Sequence, residues 1–265
     1  MPNFSANIIF LFNEFDLRDR VHAASNVGFQ AVECQQPYEV PAPELTDILN
    51  DAGVEMILIN TPPSTIDPAI GGVAIFPNRV AEFRELVEGA ITYAAAINCP
   101  RLHVVAGRMA DDMSQEAATE TFIKNICWAA DLGANHGVRI LIEPLNGTDN
   151  PGYFLTTAAQ GRDILSVAAH ANLFLQFDLY HAGVNAEDVI AGARAYLDVI
   201  DHMQMAGVPG RHEPNTGEID MMSAFAAIDE MGYTGWIGAE YRPATTTLDG
   251  LGWAAAYGIT VPPRD

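Results

Sequence analysis

Short apolar runs, too brief for helices, alternate along the whole chain with longer stretches of helical periodicity, and no linker or low-complexity segment interrupts them. The strand-like runs cover Phe4 to Phe10, Ala31 to Cys34, Val54 to Asn60, Arg101 to Val105, Arg139 to Pro144, Leu173 to Asp178, Val199 to Gln204 and Gly235 to Glu240. Between them lie helical patterns over Asp16 to Asn26, Pro43 to Asp51, Pro77 to Ile97, Ser114 to His136, Thr157 to His170, Ala186 to Tyr196 and Met221 to Met231. Ser114 and Gly137 stand where a cap and a stop belong. Such an alternation demands a parallel sheet. The chain has 265 residues, close to the roughly 250 of eight such units closed on themselves. The expected fold is therefore α/β, a (β/α)8 TIM barrel, with residues 1–265 as one domain. An open doubly wound sheet would carry fewer strands, and often a glycine fingerprint after the first, where Leu11-Phe12-Asn13-Glu14 stands instead.

The later strands share a second property. Those around residues 139–144, 173–178, 199–204 and 235–240 deliver Glu143, Asp178, Gln204 and Glu240 at their C-terminal ends. In a barrel those ends converge on one mouth, where the chemistry of such folds sits. Carboxylates crowded there repel one another in a low dielectric. Salt bridges offer little relief, because 13 Lys and Arg face 34 Asp and Glu. A divalent cation would remove the repulsion. Two glutamates, one aspartate and an amide carbonyl make an all-oxygen shell, which suits one Mg2+ or Mn2+ ion better than zinc.

Further polar residues cluster at the same ends. Asn7, Glu33, Asn60 and His103 fall in or near the ends of the first four strands, where pocket lining and structural roles are equally expected. His181 follows Asp178 by three residues and suits either a helix cap or a contact to a substrate oxygen. His202 shares a strand face with Gln204, one layer deeper. Arg211, His212 and Arg242 follow the seventh and eighth strands, and cations there suggest an anionic substrate. The expected substrate-binding set is His181, Arg211, Arg242, Asn60, His103 and Glu33. The irregular stretch from Thr61 to Phe76 is the longest in the chain, and so long a loop in a compact domain is usually functional.

Other chemistries drop out. At a formal charge of -21 the chain repels phosphate backbones, so nucleic acid is not an expected partner. The sole lysine, Lys124, lies inside a helical pattern, which removes Schiff-base chemistry. No serine lies in G-x-S-x-G, and no glycine-rich phosphate loop is present. Nothing approaches the ~18 apolar residues of a membrane span, and no basic leader region precedes the first strand. Cys34, Cys99 and Cys127 are odd in number and widely spaced, which reads as reduced thiols in the cytoplasm.

At these residues the chain resembles the hydroxypyruvate isomerase family of xylose-isomerase-like TIM barrels, over nearly its whole length. The resemblance runs through Phe4-Ser5-Ala6-Asn7, Ile142-Glu143-Pro144-Leu145-Asn146 and His202-Met203-Gln204-Met205-Ala206. It continues in Arg211-His212-Glu213-Pro214, Gly217-Glu218-Ile219 and Gly235-Trp236-Ile237-Gly238-Ala239-Glu240-Tyr241. It implies that Glu143 and Glu240 are catalytic acid/base residues, and that Glu143, Asp178, Gln204 and Glu240 hold the metal. The implied reaction is aldose–ketose isomerisation of a small hydroxy-keto acid, hydroxypyruvate or a 2-oxo-tetronate. Pro144-Leu145-Asn146 leans to the hydroxypyruvate branch, whereas Ala206-Gly207-Val208-Pro209 and Leu251-Gly252-Trp253 lean to the 2-oxo-tetronate branch. Pro63-Ser64-Thr65 departs from both, standing where the family usually has a Gly-Asp pair. A ketose 3-epimerase acting on an uncharged sugar is the neighbouring alternative, although those barrels usually place a histidine where Gln204 stands. From another class, a non-catalytic sugar-acid binding protein would not need two carboxylates flanking a metal. A phosphodiester nuclease would need more histidine ligands. A small molecule is the expected partner, membranes and nucleic acids are not, and a homo-oligomer is compatible with the sequence.

Overall fold

In the computed structural model, which describes residues 1–261, the strands close into a parallel barrel in sequence order. They are β1 (Asn3–Asn7), β2 (Ala31–Cys34), β3 (Glu55–Asn60), β4 (Arg101–His103), β5 (Arg139–Ile142), β6 (Leu173–Asp178), β7 (Ile200–Met205) and β8 (Trp236–Ala239), and β1 pairs with both β2 and β8. Residues 262–265 of the expected domain span lie outside the described residues. The outer ring comprises α1 (Leu17–Asn26), α2 (Ala42–Ala52), α3 (Val80–Ala96), α4 (Gln115–Asn135), α5 (Ala158–Ala168), α6 (Leu179–Val184), α7 (Val189–Tyr196), α8 (Met221–Glu230) and the one-turn α9 (Thr247–Gly250). Each long helix turns an apolar stripe to the sheet; α4 buries Ala118, Phe122, Ile126 and Ala129, one per turn. Its expected cap forms, with Ser114 Oγ accepting the Ala117 N–H. Among the described residues no helix is long and apolar enough to cross a membrane.

The chain departs from the sequence expectation at identifiable polar contacts. β1 stops at Asn7 rather than Phe10, because the Asn7 carbonyl accepts the N–H groups of Phe10 (3.2 Å) and Leu11 (2.8 Å) and turns the backbone. α6 lies outside the helical patterns of the sequence. Asp178 ends β6 and also caps α6, accepting the Tyr180 N–H at 2.8 Å, so strand passes into helix without a loop. After β8, α9 and a 3-10 turn over Leu251–Tyr257 bring Trp253 against Phe4 and Phe225.

Two polar fixtures hold the barrel's ends. On the N-terminal side, Asp201 of β7 pairs with Arg101 of β4 at 2.7 Å and Arg139 of β5 at 3.1 Å. On the other side, the Thr61–Phe76 segment is pinned by Ser64 Oγ, which accepts from the backbone of Ile66 and Asp67 and from Arg79 and donates to Glu82. The segment's backbone then meets the loop after β4. A Cβ on Gly72 would fall 1.8 Å from the Val105 carbonyl oxygen, so only glycine admits this approach.

Candidate active site

The C-terminal mouth of the barrel holds a cavity of about 310 Å3, walled by Asn60, His103, Glu143, His181, Arg211 and Glu240 together with apolar Phe10 and Val105. Glu143 and Glu240 each stand one residue beyond their strands, β5 and β8, and both line this cavity. Asp178 closes β6, and Gln204 is its register partner on β7. Glu143, Asp178 and His181 bring ligand atoms within 4.8 Å of one another. The oxygens Glu143 Oε1 and Asp178 Oδ2 are buried and have no hydrogen-bond partner among the described residues. Glu240 is held differently: Arg211 donates to its Oε2 at 2.5 Å, and Gln35 donates to its Oε1.

These carboxyls disturb one another. Burial pushes Glu143 well above the usual carboxylate range, and the charges of Glu240 and Asp178 add to the effect. Burial likewise raises Glu240 to about 8 and Asp178 to about 6, against the opposing pull of Arg211 in both cases. A negative cluster this dry, with two orphaned oxygens, fits a hard divalent cation. The donor set that surrounds it is oxygen-rich, as Mg2+ and Mn2+ require.

The two histidines of the cavity are neutral. Burial lowers His103 to about 3, and neither of its ring nitrogens has a hydrogen-bond partner, although Nδ1 lies 3.3 Å from Glu143 Oε2. His181 is also lowered to about 3, chiefly by burial. Its Nδ1 faces the backbone N–H of Asn146 at 3.2 Å, an unambiguous donor, so Nε2 carries the proton. That proton points to the Asp178 side, 3.6 Å from Oδ2. With Nε2 protonated, His181 offers the cavity a hydrogen-bond donor, and it belongs with Glu143 and Asp178 to the group whose ligand atoms converge.

Arg211 is the cation of the site. Its guanidinium lies 4.8 Å from the Tyr180 ring centre and 5.0 Å from that of Phe10, and 3.7 Å from Asp178. Its backbone sits in the left-handed region at φ +59°, supported by its N–H bond to the Gly207 carbonyl and by the Arg242 N–H bonded to its own carbonyl. Arg242 is exposed. It borders an outer hollow of about 500 Å3 that shares Arg211 with the inner cavity. Glu33 lies beneath the cavity rather than in its wall, 1% exposed and surrounded by Ser5, Asn7, His202 and Gln204. Burial opposes its ionisation, but His202, Gln204 and Asn7 hold it below its usual value. None of residues 61–76 lines the cavity; the segment supports Val105, which does.

Comparison with known proteins places this architecture. The family model for the xylose isomerase-like TIM barrel matches residues 21–257. The chain belongs to that family. Among family members, the 2-oxo-tetronate isomerase of Cupriavidus necator is 41% identical over 257 residues, covering 97% of this chain and 99% of that protein. The hydroxypyruvate isomerase of Escherichia coli is 35% identical over 257 residues, with 97% and 100% covered. A Brucella melitensis crystal structure described as an AP endonuclease, family 2, superposes with a TM-score of 0.94 at 36% identity, covering 97% of this chain and 99% of that one.

Several residues of this family member's site escape a reading of the sequence. Gln35 follows the last residue of β2, and a polar residue at that point is the available signal. Gln176 precedes Asp178 by two residues on the same strand face, so the pleat that singles out His202 beside Gln204 applies to it equally. Asn146, which fixes the His181 tautomer, carries no signal of that role.

Proposed function

We propose that this chain is a metal-dependent isomerase that moves the carbonyl of a small hydroxy-keto acid, hydroxypyruvate or a 2-oxo-tetronate, onto the neighbouring hydroxyl-bearing carbon. For the three-carbon acid this is an aldose–ketose interconversion, and for the four-carbon acid a shift from a 2-oxo to a 3-oxo acid. The observation that carries this reading is the pair of buried carboxyl groups, Glu143 and Glu240, facing one small cavity that also holds an arginine. Glu143, Asp178, Gln204 and Glu240 would hold the ion. When bound, Mg2+ or Mn2+ would supply Lewis acidity to the oxygens of the substrate and offset the negative charge of the site. One glutamate removes the proton from the carbon bearing the hydroxyl, giving an enediolate; the other returns a proton to the neighbouring carbon. In hydroxypyruvate this moves hydrogen from C3 to C2 and yields tartronate semialdehyde. His181 Nε2 and His103 would hydrogen-bond substrate oxygens, a role supported by their lining the cavity that Asn60 also borders.

Two relatives with comparable coverage bear different substrate names, so the acid's length is the open variable between them. A ketose 3-epimerase would use the same two glutamates on an uncharged sugar, and Arg211 in the cavity favours the acid. The nuclease name carried by the Brucella structure sits poorly with a chain at -21, which repels a phosphodiester backbone. Proton NMR in D2O with hydroxypyruvate, a 2-oxo-tetronate and a ketohexose is the direct test. We expect deuterium at C2 or C3 of a keto acid, whereas exchange confined to C3 of the ketohexose would replace this reading with epimerisation.

The arginines separate the substrate classes further. A keto acid brings a carboxylate into an acidic mouth, and a planar guanidinium matches it with two hydrogen bonds. Arg211→Ala should raise KM for the keto acid ~10-fold or more, since a lost charged hydrogen bond costs ~1.5–3 kcal/mol. Arg242→Ala, altering an exposed side chain of the outer hollow, should change KM far less. Paired kinetics on a keto acid and a ketohexose check both, and equal loss on the two substrates would remove Arg211 as the carboxylate partner.

A further inference from the structure

Beneath the cavity lies a carboxylate that the proposed reaction does not use. Glu33 of β2 is buried on the inner side of Gln204, where His202 also reaches it, and its two oxygens receive four donors. Asn7 Nδ2 (2.9 Å) and Gln204 Nε2 (2.6 Å) reach Oε1, while His202 Nε2 (2.7 Å) and Ser5 Oγ (3.3 Å) reach Oε2. The orientation of Asn7 is independently fixed, because its Oδ1 accepts the Ile9 N–H at 3.2 Å. The barrel has made room for this group. On β8, Gly238 is the register partner of Gln204, and a Cβ there would fall 2.3 Å from Glu33 Oε2.

A buried Glu–His pair is a costly way to fill a barrel, since desolvation offsets much of the attraction, and His202 Nδ1 is left without a partner. Packing alone does not account for it. Its geometric effect falls on Gln204. The two ends of an amide have nearly the same shape, so only its partners decide which end points where. A carboxylate surrounded by donors is an acceptor, and it obliges Gln204 to turn its NH2 group downward and its carbonyl oxygen away. That oxygen accepts from Gln176 Nε2 at 2.6 Å and keeps a second lone pair.

We propose that Glu33 is a positioning residue that orients the Gln204 amide so that its oxygen is offered to the cation. This rests on the metal reading above and goes beyond it. Glu33 dictates that position 204 carry a donor on its lower side and an oxygen on its upper side, a requirement that an amide meets and a carboxylate does not. Were Glu33 replaced by glutamine, either orientation of Gln204 could be satisfied from below, and the NH2 group would be free to face the ion.

The test is calorimetric titration of Mn2+ into metal-free protein, with circular dichroism and thermal melting to establish folding. Glu33→Gln should weaken Mn2+ binding ~10- to 100-fold, the usual scale for partners that orient metal ligands. The double variant Glu33→Gln with Gln204→Glu should recover. The amide introduced at position 33 can then donate upward to a carboxylate that presents oxygen on both sides. Gln204→Glu alone, which sets a second carboxylate against Glu33, should not bind Mn2+ more tightly than wild type, so independent effects would leave the double variant at least as weak as Glu33→Gln. Recovery of the double variant to within about threefold of wild type is expected. Gly238→Ala gives a second route, since its Cβ displaces the Glu33 carboxylate without changing charge, and it too should weaken Mn2+ binding. Wild-type affinity in a folded Glu33→Gln or Gly238→Ala protein overturns the proposal. So does a double variant that fails to recover. A wild-type protein that binds no Mn2+ overturns instead the metal reading on which the proposal stands.

Discussion

Glu143→Gln and Glu240→Gln are each expected to lower kcat by ~10^2-fold or more, the usual contribution of a positioned acid or base. Both substitutions keep size and an oxygen, so an ion can still bind, but neither leaves a group that exchanges protons. The two should differ in their side effects. Glu240 accepts from Arg211 on one oxygen and from Gln35 on the other, so an amide there can accept from only one of the two. Glu143 has an orphaned oxygen and, among the described residues, no hydrogen bond from an arginine, so its replacement disturbs fewer neighbours. KM for the keto acid should therefore move more in Glu240→Gln. Steady-state kinetics with metal content measured in parallel decides the matter, and near-wild-type kcat in either variant would make that glutamate structural.

Exhaustive chelation should abolish turnover, with Mg2+ or Mn2+ restoring it, and full activity in verified metal-free enzyme would sink the metal reading. The same site ties stability to pH. Glu240 is raised from 4.5 to about 8 and Asp178 from 3.8 to about 6, mainly by burial, so between those values the metal-free folded state binds more protons than the unfolded chain. The slope of unfolding free energy with pH follows the unfolded minus the folded proton count, which is negative here. These groups stabilise the metal-free protein below the unfolded values, and that contribution fades as pH rises through about 6 and then about 8. A cation takes the place of the protons, so binding should release them and strengthen with pH. The gain in Tm on adding Mg2+ should be larger at pH 8 than at pH 6. A constant gain across that range would show that these carboxyls do not take part.

What the sequence makes legible and what it hides divide along physical lines. Strand and helix periods are local, and they reveal the eight-stranded barrel and the oxygen-bearing residues at its later strand ends. Depth within the barrel is not local. Glu33 and Asn60 both read as polar residues near strand ends, yet Asn60 borders the cavity and Glu33 lies under it. The register between β2 and β3 also shifts at Val32/Glu33, and no periodicity announces it. Partners are equally hidden, since His202 meets Glu33 across 169 positions of chain. α6 escapes notice because Asp178 serves both strand and helix, which removes the loop that would have marked a boundary.

The Ser64 fixture has a kinetic side. A long segment over a mouth invites the picture of a flap that closes on its guest, with release timed by reopening. Here the segment is tied to Arg79 and Glu82, its backbone rests against Val105, and it does not border the cavity. The wall it braces is in place before a guest arrives, so little ordering entropy is spent on it at the encounter. If the chain is the keto-acid isomerase proposed above, telling a three-carbon acid from a four-carbon one falls to the standing dimensions of the chamber.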